Sequence, residues 1–93
     1  MFDSYSTVLK TVFAQLVSNY ADHDVTNATE LKIYAQLVSI LDMLYPDQIR
    51  LVTTVISSGA AVAIVEFLTI EGDIISFSTT VNFSSLKATV EAI

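Results

Sequence analysis

Proline occurs once in this chain, at position 46, and the sequence changes texture on either side of it. Before Pro46 the apolar residues recur every three or four positions, which is the period of a helix. After it, β-branched residues dominate, and along the last strand apolar residues alternate with polar ones, the period of a strand. A chain divided in this way is predicted to fold as α+β, with its helices gathered on one face of an antiparallel sheet.

In the first segment, 4–21, helical spacing places Tyr5, Leu9, Val12, Phe13, Leu16 and Tyr20 on one face. Asp3 or Ser4 is positioned to cap its start. A second helix is predicted over 27–45, opening with Asn27 and Glu30 in capping-box spacing and ending before Pro46. Leu31, Tyr34, Ala35, Val38, Leu41 and Tyr45 form one stripe along it; Ile33, Leu37, Ile40 and Leu44 form another beside it. At 100° per residue the two stripes cover an arc of about 220°, well beyond what a surface helix needs. Such a helix must be covered on two sides, by the sheet and the first helix or by another chain.

The segment 48–57 reads as a strand on its β-branched density, although Pro46 and Gly59 would also frame a third helix. Ser58-Gly59 and Glu71-Gly72-Asp73 mark turns on either side of a strand over 61–70. The last strand, 74–83, alternates Ile75, Phe77, Val81 and Phe83 with Ser76, Ser78, Thr80 and Asn82. Ser84 or Ser85 then caps a short closing helix carrying Leu86, Val90 and Ile93. The expected architecture is two N-terminal helices, a three-stranded antiparallel meander and a short C-terminal helix (α-α-β-β-β-α). No repeat, linker or low-complexity run divides the chain, so 1–93 is expected to form a single domain.

The turn at 71–73 decides which way Glu66 faces. A two-residue loop, favoured by Gly72 at the first position of a type II′ turn, puts Val62, Ile64, Leu68 and Ile70 on the dry face with Glu66 among them. A three-residue loop flips the parity, sends Ala61, Ala63, Val65 and Phe67 inward and turns Glu66 out. A carboxylate on a dry face would be a candidate acid, base or ligand anchor. Glu66 is therefore the ligand-binding candidate, in a pocket between sheet and helices.

Composition excludes more than it suggests. Ten acidic and four basic residues give a net charge of −6, without the clustered cations that nucleic-acid binding needs. With no cysteine there is no disulfide, thiolate metal site or thiol nucleophile, and a lone His23 supports no histidine metal centre. Asp22 and Asp24 faintly resemble a calcium loop, but Asn27 stands where that loop needs glycine and Ile33 where it needs glutamate. Two glycines cannot build a phosphate cradle, and no serine sits in a nucleophile elbow. No metal, no cofactor and no enzymatic activity are expected. The longest charge-free stretch, 51–65, is too short to span a bilayer, and Met1-Phe2-Asp3-Ser4-Tyr5 is no signal peptide, so a cytoplasmic, non-membrane protein is expected.

The charged fraction is only 15%, where an ordinary domain carries about 25%. Too few ionic side chains cover too much apolar surface. The expected function is thus a non-enzymatic protein–protein interaction module, an adaptor, regulator or accessory subunit, that pairs with itself or with a larger protein. Leu9, Phe13, Leu16, Ile33, Leu37, Ile40 and Leu44 on the helix faces are the interface candidates. The alternative is a small-ligand binder or enzyme built around Glu66.

Overall fold

A computed structural model describes residues 2–20, 27–57 and 59–93. Two helices, α1 (Phe2–Ser18) and α2 (Asn27–Leu44), precede four strands: β1 (Ile49–Ser57), β2 (Ala60–Leu68), β3 (Ile74–Asn82) and β4 (Ala88–Ala92). The strands form one antiparallel sheet in the order β1-β2-β3-β4. Both helices lie on one face, α2 over β1 and α1 over β3 and β4. The 48–57 segment is a strand, as its β-branched residues indicate.

The predicted closing helix does not exist; the chain is α-α-β-β-β-β. After β3 the Asn82 side chain accepts the backbone N–H groups of Ser84 and Ser85, and the Leu86 N–H bonds the Asn82 carbonyl. That is a single turn. Leu86 then takes a positive φ of 57°, which ends any helical run and sends the chain back along β3. Ala88, Val90 and Ala92 pair with Val81, Thr79 and Phe77 and continue their face, satisfying backbone groups that three strands would have left bare. Helix α1 begins at Phe2, so Asp3 and Ser4 lie inside its first turn and not before it.

Parity in the second hairpin also departs from the favoured reading. Leu68 pairs with Ile74, and the Thr69 N–H bonds the Asp73 carbonyl, leaving Ile70, Glu71 and Gly72 as a three-residue loop. The Gly72 N–H bonds back to the Thr69 carbonyl, and Gly72 has φ 92°. This is a type I turn closed by a left-handed glycine, the usual three-residue hairpin. Ala61, Ala63, Val65 and Phe67 consequently face the helices together with Phe77 and Val81. Val62, Ile64, Glu66 and Leu68 face the other way.

The core is a single layer between helices and sheet. Leu9, Phe13, Leu16 and Val17 come from α1; Ile33, Leu37 and Leu41 come from α2. Ala61 and Ala63 at the sheet's centre are small enough to let the helices approach, while bulk gathers at one end. There Phe67 lies 4.7 Å from Tyr5, 5.3 Å from Tyr45 and 6.2 Å from Phe77, ring centre to ring centre. Tyr5 also donates its hydroxyl to the Gln48 side chain at 2.7 Å, pinning α1 to the entry of β1. Burial of the Tyr45 ring raises its phenol above the ordinary 10.0, and the nearby Tyr5 adds to the rise. Each fully buried Leu, Ile or Phe here contributes about 1.5–3 kcal/mol.

Candidate association surface

The hairpin parity places Glu66 on the face without helices. Glu66 therefore does not face the space between sheet and helices, which corrects the expectation drawn from a two-residue loop. Glu66 sits across from Leu51 and Ser76, and its carboxylate pairs with the Arg50 guanidinium at 3.5 Å. Arg50 reaches it because β1 carries a bulge between Ile49 and Leu51 that re-aims the extra residue. The pair is partly exposed to water and worth about 1 kcal/mol or less.

The helix residues expected at an interface are mostly committed elsewhere. Leu9, Phe13, Leu16, Ile33 and Leu37 are buried in the protomer's own core, and Ile40 is partly buried against it. The five buried ones present no free surface to a partner. Leu44 is half exposed near the end of α2.

Met43, Ile70, Ile74 and Ile93 are exposed at scattered positions, and a further group of exposed apolar residues lies on the β1 side of the molecule. On the bare sheet face Leu51, Val55 and Ile64 are exposed, with Val62 half-buried among them. The same face carries Ser76, Ser78, Thr80 and Thr89 on β3 and β4, so its apolar half is the β1–β2 half. Round the edge of β1, a groove of ≈ 300 Å³ runs between α2 and the strand, lined by Glu30, Leu31, Tyr34, Val52, Thr53 and Thr54. A second, of ≈ 200 Å³, continues it past Tyr34, Val38 and Asp42 to Arg50.

Glu30, expected from its spacing to complete a capping box, accepts the Ile56 N–H at 2.8 Å through its carboxylate. Ile56 therefore points its backbone groups away from β2. Because these groups alternate along a strand, Val52 and Thr54 point theirs the same way. The stripe Leu31, Tyr34, Ala35 and Val38 was legible as apolar from helical spacing; its position beside a free strand edge was not.

Among the described residues no three or more His, Asp or Glu side chains group to hold a metal, and Asp22, His23 and Asp24 lie outside them. No helix among them is long and apolar enough to cross a membrane. No solved structure matches the chain. A protein of Enterobacteria phage T4, named "Uncharacterized 10.1 kDa protein in cd-pseT intergenic region", is 36% identical over 91 residues, covering 92% of this chain and 100% of the phage protein. A family model described as a domain of unknown function, DUF7355, matches residues 1–93, and the chain belongs to that family.

Proposed function

We propose that this protein is a small acidic, non-enzymatic association module that pairs with itself, serving as an adaptor or accessory subunit in the cytoplasm. The observation that supports this reading is bare apolar area on a thin molecule. Leu31, Leu51, Val55 and Ile74 are 65, 46, 55 and 52% exposed. Three of these stand on or beside β1, and exposed apolar residues gathered in one place mark an interaction surface. The acidic surplus keeps such a chain soluble. A small-ligand role around Glu66 is the weaker reading, because its carboxylate is ion-paired with Arg50 in the open.

Light scattering on protein eluting from a sizing column tests the proposal. At tens of micromolar the mass is expected at twice the 10.1 kDa of the chain, falling towards one chain on dilution. A single-chain mass at every concentration would overturn self-association.

A further inference from the structure

We propose that the second copy docks through the edge of β1, joining two four-stranded sheets into one of eight strands about a two-fold axis at Thr53. This rests on the self-association reading and specifies its surface.

The edge is open over a short window, and both of its ends are closed. At one end the Glu30 carboxylate already occupies the outward Ile56 N–H. At the other, the bulge at Arg50 breaks the regular ladder. Between them Val52 and Thr54 direct their N–H and C=O groups outward from an edge strand with no neighbouring strand among the described residues. A window closed at both ends admits one strand in one register, so pairing there terminates at two copies and does not propagate.

An antiparallel copy fits that window when Val52 of one chain exchanges hydrogen bonds with Thr54 of the other, and Thr54 with Val52. Shifting by two residues in one direction would need the Ile56 N–H, held by Glu30. Shifting the other way would run into the bulge. In the allowed register Leu51 lies across from Val55 of the second copy, twice, on the bare sheet face. These two side chains are 46 and 55% exposed in the protomer, and cross-strand apolar pairs of this type are favourable. Arg50 is carried towards Glu30 of the second copy at each end, bringing unlike charges together.

The helix layer identifies the occupant. In the groove, Leu31, Tyr34 and Val38 of α2 stand alongside the β1 edge, with Leu31 65% exposed and Tyr34 39%. A lone extended peptide would satisfy the strand and leave those side chains wet. A second copy brings its own α2 to the same side of the joined sheet, antiparallel across the axis, so the two stripes cover each other. This is the second covering that the wide apolar arc of α2 requires.

The chain has no cysteine, so Thr53→Cys introduces a single thiol at an exposed position. On the axis, Thr53 faces its own copy in a non-hydrogen-bonded pair with Cα atoms about 4.5 Å apart, within disulfide range. Mild oxidation is expected to convert most of the Thr53→Cys protein to covalent dimer, while Thr89→Cys on β4 stays largely monomeric. Thr54→Pro removes an outward N–H that the protomer's own sheet does not use and is expected to shift folded protein to monomer. If wild type is dimeric by mass but Thr53→Cys cross-links no better than Thr89→Cys, the edge is wrong and self-association stands. If wild type is monomeric throughout, both fall, and a foreign strand becomes the candidate for the edge.

Discussion

Thr79 is fully buried on the helix-facing side of β3, and its Oγ1 has no hydrogen-bond partner among the described residues. A hydroxyl taken from water and left unpaired costs about 1–3 kcal/mol. Valine at this position keeps the branched shape and removes the debt of hydration. Thr79→Val is therefore expected to raise stability by about 1 kcal/mol, read as a higher urea midpoint with an unchanged slope. An equal or lower midpoint would show that the hydroxyl is satisfied. Glu66 illustrates the same scale from the opposite side: its residue type drew attention, but its role depends on which face it occupies. With Arg50 beside it on the helix-free face, it is a partly exposed, ion-paired carboxylate.

At the level of elements, that outcome traces to one glycine. Gly72 suits the first position of a two-residue turn and also the left-handed third position of a three-residue one. Its residue type alone supports both parities. The choice is made by inward side chains: Phe67 and Val65 fill the space beneath the helices, while Ala61 and Ala63 make room for them. Any side chain at φ 92° is strained although nothing stands within 4 Å of the added Cβ. Gly72→Ala is expected to lower stability by about 1 kcal/mol through backbone strain alone, leaving the strand register intact. A larger loss with altered amide shifts along β2 would show that the turn sets the register.

Helices α1 and α2 were readable because the 3.6-residue period persists over many turns. Strand β4 was not, because Leu86, Val90 and Ile93 match helical spacing while Ala88, Val90 and Ala92 match a strand equally well. Over so few residues local pattern does not discriminate. The deciding influence, the open edge of β3, is non-local.

On the scale of the whole molecule, the protomer measures 41 × 21 × 17 Å, the thickness of one helix layer on one sheet. Two layers leave the sheet's second face and the β1 edge without cover from the described residues. The excess of apolar over charged residues was plain in the composition, and so was the width of the apolar arc on α2. Which part of it stays outside was not plain, since Leu9, Phe13, Ile33 and Leu37 are as apolar as Leu31 and Leu51. Periodicity marks apolar positions; only the packed arrangement shows which of them the chain covers by itself.

Residue-resolved amide exchange at several protein concentrations probes the β1 edge directly. Thr53 and Val55 bond to β2 and are expected to be protected at every concentration. Val52 and Thr54 face outward, so they are expected to exchange freely in dilute protein and to gain protection as concentration rises, approaching their inward neighbours. Free exchange at Val52 and Thr54 at all concentrations, with Thr53 and Val55 still protected, would contradict a second copy on this edge.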